Sequence, residues 1–157
     1  MMTLVTRCEK ETFKLGRMIG ASCRGSEIIC LWGELGSGKT VLVKGIAAGL
    51  GVDPRQVVSP TFVLLQEYRG KKIPLYHFDL FRLRSEKEIA ALGYEEYFFS
   101  GGVAAVEWAD RLGALLPAEF LGVELLSAGK MQRRIRLRAA GERYRALLGE
   151  VRENTGD

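Results

Sequence analysis

Gly33, Gly38, Lys39 and Thr40 stand in the spacing GxxxxGK[ST], inside the stretch GELGSGKT. Residues of these types at this spacing do one thing well: they hold a chain of phosphates. Glycines let successive backbone N–H groups curl into a concave nest around anionic oxygens. A helix beginning at the lysine turns its positive end toward the same anion. Lys39 brings a point charge to the outer phosphates, and Thr40 offers a hydroxyl to Mg2+. The candidate phosphate-binding set is Gly33, Glu34, Leu35, Gly36, Ser37, Gly38, Lys39 and Thr40.

A phosphate grip that performs chemistry also needs an acid to complete a metal site and a group to orient water. Two acids follow apolar runs. Asp79 lies in HFDLFR, and Glu107 closes VAAVE, an arrangement of the Walker-B kind. Each has a plainer reading. Asp79 could pair with Arg82 or Arg84, and Glu107 could cap a helix start, a use that the following Trp108 disfavours. On a strand, Leu75, His77 and Asp79 share one face, which brings His77 near the site. As the one histidine in the chain, it is read as structural. The segment SPTF, 59 to 62, falls where a loop sensitive to the γ-phosphate is expected. Its Thr61 is a candidate for contact with phosphate, metal or water, with an ordinary turn residue as the alternative.

The elements that must position these groups follow from hydrophobic period. Residues 9 to 24 place Leu15, Met18, Ile19 and Cys23 at helical spacing. EIICLW reads as a short buried strand, and VLVKGIAAGL as a helix stopped by Gly51. The glycine-rich stretch therefore joins a strand to a helix. DPRQVVSPT is a loop. FVLLQEY and IPLYHFDLFRL form a hairpin about the turn RGKK. Ser85 with Glu88 is a capping-box pattern opening a helix that ends near Gly93, and YEEYFF adds a further turn. VAAVEW is a buried strand, ADRLGALLP is partly helical, EFLGVELL and QRRIRLRA make a second hairpin, and RYRALLGEV closes the chain as a helix. A strand, glycine loop and helix with two hairpins predict an α/β domain with a mixed parallel and antiparallel sheet.

The chain has 157 residues, enough to bury a core as a single domain over 1–157. Hydrophobic residues are 47% and charged residues 27% of it, an ordinary globular mixture. No apolar run reaches the roughly 20 residues that cross a bilayer, and the N-terminus does not read as a signal peptide. Cys8, Cys23 and Cys30 are odd in number and form no CxxC pair, which argues against a disulfide framework or a zinc site. These features suit a reducing cytoplasm. The net charge is +4 and the pI about 9.1. The excess gathers late in the chain, where Lys130, Arg133, Arg134, Arg136, Arg138, Arg143, Arg145 and Arg152 face only Glu142 and Glu150. That run reads either as a solvated face or as a contact for RNA or an acidic partner. Tyr144 is the one aromatic residue within it, short of the interleaving that a single-strand binder requires.

Taken in order, these motifs resemble the TsaE family, also called YjeE, over nearly the whole chain. The resemblance rests on TxxLG at Thr12 to Gly16, GxLGxGKT at Gly33 to Thr40 and SPTF at Ser59 to Phe62. It continues with HxDxYRL at His77 to Leu83, LG at Leu92 and Gly93, and EW at Glu107 and Trp108. Phe81 replaces the usual tyrosine, and Ala109 and Asp110 stand where proline and glutamate are common. The resemblance implies a P-loop NTPase-like, three-layer domain that binds and hydrolyses ATP with Mg2+. It further implies that the chain acts beside the TsaD and TsaB proteins to form threonylcarbamoyladenosine in tRNA, resetting their complex between turnovers. tRNA would be met through that complex. By the same analogy Thr40 and Glu107 hold Mg2+, Asp79 activates water, Thr61 belongs to a switch loop and Trp108 is a mobile neighbour of the nucleotide. The roles of Asp79 and Glu107 are interchangeable at this stage. No arginine finger is evident, with Arg82, Arg84, Arg133 and Arg134 as candidates, so slow turnover alone is expected. A small-molecule kinase and a nucleotide-gated binding module are the alternative classes compatible with the phosphate grip.

Overall fold

A computed structural model describes residues 1–58, 64–71 and 73–156. Seven strands form one sheet in the order β1-β7-β6-β2-β5-β4-β3. In chain order the strands are β1 (Met2–Thr6), β2 (Ile28–Trp32), β3 (Leu65–Tyr68), β4 (Leu75–Asp79), β5 (Val103–Glu107), β6 (Phe120–Ser127) and β7 (Arg133–Ala140). The helices are α1 (Glu9–Ser22), α2 (Lys39–Gly49), α3 (Glu86–Ala90), α4 (Tyr94–Phe98) and α5 (Glu142–Thr155), with 3-10 turns at Pro54–Gln56 and Ala109–Leu115. Strands β6, β2, β5 and β4 run parallel. β7, β1 and β3 join antiparallel at the two ends. The apolar runs of β2 and β5 take the centre because only strands buried on both faces tolerate such sequences.

The sheet separates two cores. On one side Leu15 and Ile19 of α1, Leu42 and Ile46 of α2, and Leu147 and Val151 of α5 cover Ile29, Leu31, Ala105 and Val123. On the other, Ile89, Phe98 and Leu112 cover Cys30, Phe78 and Val106. This is the expected three-layer α/β arrangement. Burial pushes the Cys30 thiol up to about 12, which makes it a small apolar filler. Helices α1 and α2 meet backbone to backbone. A Cβ on Gly16 or Gly20 would fall on the carbonyl oxygens of Leu42 or Ile46, and one on Gly45 or Gly49 on those of Phe13 or Arg17. Among the described residues no helix is long and apolar enough to cross a membrane.

Three details depart from the sequence reading. β1 was not expected, because MTLVT alternates only weakly. It forms through pairing with β7, Met2 opposite Leu137 and Leu4 opposite Ile135, and burial of Met2 fixes its register. β4 ends at Asp79 and does not continue to Leu83: the Asp79 carboxylate accepts the Phe81 N–H at 3.0 Å, an Asx turn that takes the chain out of the sheet. Ser85 caps α3 through the Glu88 N–H, but the Glu88 carboxylate accepts from the Arg84 N–H at 2.9 Å, one residue before the capping-box partner.

Candidate active site

Because β2, β5 and β4 are parallel neighbours, their C-terminal ends share one edge, where open α/β sheets bind ligands. Glu107 lies opposite Leu31 on one side and Asp79 on the other. The glycine loop leaves β2 at this edge and runs into α2. Distant segments of sequence thus converge on one cavity of about 350 Å3, lined among others by Gly36, Gly38, Lys39, Thr40, Asp79, Glu107 and Trp108.

The loop is shaped to present donors. Gly38 is the residue before α2, with φ of 102°, a left-handed conformation that glycine adopts without strain. No side chain caps the helix there, so the first N–H groups of α2 have no intrahelical partner. Arg133 reaches across from β7. Its Nε donates to the Ser37 carbonyl at 2.9 Å and its Nη2 to the Gly36 carbonyl at 3.0 Å. In a trans peptide the next N–H points the opposite way, so pinning the Ser37 carbonyl directs the Gly38 N–H away from Arg133.

Lys39 is only 4% exposed. Its ammonium donates to the Gly33 carbonyl, to the Glu34 carbonyl at 2.9 Å and to Ser37 Oγ at 3.5 Å. It also lies 4.1 Å from the centroid of the Trp108 ring, a favourable cation–π placement. The lysine is folded onto its own loop, and to grip a phosphate it exchanges loop oxygens for phosphate oxygens. Burial lowers its pKa, opposed by the charges of Glu107, Asp79, Asp110 and Glu34. Trp108 holds φ of 59°, a strained conformation for a bulky residue and of the kind that clusters at functional sites. Phe81 packs on it with ring centroids 4.8 Å apart.

Glu107, 3% exposed, is gripped from two sides. The Thr40 hydroxyl lies 3.3 Å from both carboxylate oxygens. His77 Nε2 lies 2.5 Å from Oε2, within hydrogen-bond reach of the carboxylate. His77 Nδ1 is buried and has no hydrogen-bond partner among the described residues. Asp79 is 7% exposed. Burial raises its pKa and Glu107 adds to the rise, while the Phe81 N–H, His77 and Lys39 oppose it. A hydroxyl and a carboxylate are the hard oxygen donors Mg2+ prefers, and that ion typically takes one or two carboxylates with phosphate oxygens completing its shell. The Thr40 hydroxyl and Glu107 carboxylate, 3.3 Å apart, fit that pattern.

Of the residues singled out in the sequence, the structure gathers Lys39, Thr40, Asp79, Glu107 and Trp108. Thr61 and the rest of SPTF lie outside the described residues. His77, read as structural, touches Glu107 directly. The arginine candidates separate. Arg82 and Arg133 line the cavity, Arg84 lines a neighbouring hollow with Arg111, and Arg134 emerges from the opposite face of the sheet, away from α2. Glu9, Thr12 and Met131 also line the cavity and were not singled out as site residues. Only Thr12 had a signal, its place in TxxLG; its hydroxyl lies 2.7 Å from that of Thr6.

A family model described as threonylcarbamoyl adenosine biosynthesis protein TsaE matches residues 6–135. A relative from Bacillus subtilis, named tRNA threonylcarbamoyladenosine biosynthesis protein TsaE, is 40% identical over 142 residues, covering 90% of this chain and 88% of the relative. A protein of the same name from Aquifex aeolicus is 40% identical over 134 residues, covering 84% and 93%. The crystal structure of YdiB from Bacillus subtilis superposes with a TM-score of 0.82 at 33% identity, covering 98% of this chain and 95% of that one.

Proposed function

This chain belongs to the TsaE family of tRNA threonylcarbamoyladenosine biosynthesis proteins, and from that premise we propose that it is a Mg2+-dependent ATPase of the cytoplasm. It supports the TsaD–TsaB complex, which forms the modified adenosine in tRNA, by resetting that complex between turnovers. The observation that carries the reading is the approach of the Thr40 hydroxyl to the Glu107 carboxylate at 3.3 Å, at the mouth of a glycine loop ending in a buried lysine.

Each residue then has a task. Backbone N–H groups of the loop and the start of α2 bind the phosphates. Lys39 neutralises the β- and γ-phosphates. Thr40 and Glu107 hold the metal, a division supported by their contact, and His77 keeps the second Glu107 oxygen in place. Bound there, Mg2+ supplies neutralisation of the charge that builds on the phosphates during transfer. Asp79 orients and deprotonates the attacking water, and its raised pKa suits a group that must accept a proton. Trp108 closes over the site, and Thr61 belongs to the loop that follows the γ-phosphate. Arg133 is engaged with loop carbonyls, and turnover without partners is expected to be slow.

The test is ATP turnover by the purified protein with and without TsaD and TsaB, using γ-labelled ATP and Mg2+. Label released as free phosphate, faster in the presence of the partners, is expected. Label transferred to a metabolite would replace the ATPase with a kinase.

A further inference from the structure

The basic segment that closes the sequence is not one patch. Arg133 is engaged at the glycine loop. Arg143 bonds the Gly25 carbonyl and lies 3.4 Å from Glu27, and Arg152 reaches the Met1 carbonyl. Arg134, Arg136 and Arg138 differ. They alternate along β7 with Ile135 and Leu137, which are fully buried under the helices, so all three emerge on the other face of the sheet. There α3, α4 and the Ala109–Leu115 turn cover the β2, β5 and β4 end. Over β7 and β1 the face is bare: Thr3, Val5, Leu126, Arg134, Arg136 and Arg138 are exposed.

The three guanidinium groups form a row about 13 Å long on a rigid strand. Among the described residues one acid answers them. Glu124 lies 3.6 Å from Arg136, both about half exposed, a pair that neutralises little. A second copy of the chain on this face would set arginine against arginine. A straight, evenly spaced row of forked cations complements a linear polyanion, and guanidinium forks match phosphate oxygens. Phe120 lies under Arg138, 5.8 Å from its guanidinium, but is only 4% exposed. Trp32, packed on Phe120, is half-buried, so the arginine row itself offers no open ring on which bases stack, and its chemistry is that of backbone contact without base reading.

We propose that Arg134, Arg136 and Arg138, on the bare face of β7, dock the phosphate backbone of RNA. The choice of RNA among polyanions rests on the function proposed above. The inference goes beyond that function in giving the chain its own contact with tRNA, apart from any made by its partners.

The test is binding of an unmodified tRNA transcript to the full chain, followed by fluorescence anisotropy across a salt series, with polyglutamate as the competing acidic polymer. Three phosphate contacts give a plot of log K against log salt with a slope of about −2 to −3. Each single Arg→Gln change at 134, 136 or 138 should reduce the slope by about one. The triple variant should lose about tenfold or more in affinity near 50 mM salt and keep its ATP hydrolysis, because the row lies across the sheet from the cavity. A triple variant that binds tRNA as the parent does would overturn the proposal. So would one that releases polyglutamate but not tRNA, which would assign the face to an acidic protein. A parent protein that cleaves ATP but shows no salt-dependent binding of tRNA defeats this inference alone, whereas a parent protein that binds RNA through these arginines but never cleaves ATP defeats the ATPase reading alone.

Discussion

At the ends of β4 and β5, Lys39, His77, Asp79 and Glu107 are each less than a tenth exposed and lean on one another. On β7, Arg134, Arg136 and Arg138 stand in solvent with one acid beside them. The same sheet thus holds charge in two ways. Removed from water, charges are strongly coupled, so a change at one alters the protonation and position of the next. Left in water, they act almost independently and are screened by salt. Chemistry requires the first condition, and reversible docking on a polyanion requires the second.

The sharpest way to break this contrast is at Lys39. Lys39→Ala should lower ATP hydrolysis by about 10²–10³-fold, the cost of removing one preorganised electrostatic group, read as phosphate release; hydrolysis at the parental rate would remove the basis for the site. Next is His77→Ala. It strips a buried carboxylate of a donor and should destabilise the fold by about 1–3 kcal/mol in urea unfolding, with His77→Gln recovering part of the loss, whereas Arg134→Gln should leave the midpoint unmoved. A smaller effect is expected from Asp79→Asn. The Asp79 carboxyl is raised above its ordinary value by burial, so its favourable contribution is present below the unfolded carboxylate range and is lost as pH rises through the raised value. The Asn variant should therefore melt higher than the parent at neutral pH, with the difference closing in acid; a difference that widens in acid would contradict the assigned shift. The smallest effect is at Glu124→Gln, which removes an exposed partner of Arg136. Tm should hold, and tRNA affinity should rise by less than about tenfold.

Much of this was legible in the sequence because the signals are local. The glycine loop between a strand and a helix, the two hairpins, the Ser85 cap and the buried VAAVE run each follow from a few adjacent residues. What could not be read was whatever depends on register between distant segments. The direct bond from His77 to Glu107 exists because β4 and β5 are neighbours and Asp79 pairs with Glu107. The separation of Arg133 from Arg134, one at the glycine loop and the other across the sheet, follows from the pleat of β7 once β6 fixes its pairing. β1 is a strand because an edge was available to it. The positive φ of Trp108 has no sequence signal, since nothing about tryptophan favours it.

The glycines that let α1 rest on α2 have a consequence for motion. With main chain against main chain at Gly16, Gly20, Gly45 and Gly49, the two helices have no side-chain cushion between them and travel as one solid piece behind the phosphate grip. Adjustment to a ligand then falls to the opposite bank, where the Trp108 and Phe81 rings pack on each other above the lysine. One added methyl between the helices would therefore displace the phosphate grip relative to the bank that carries Trp108 and Phe81.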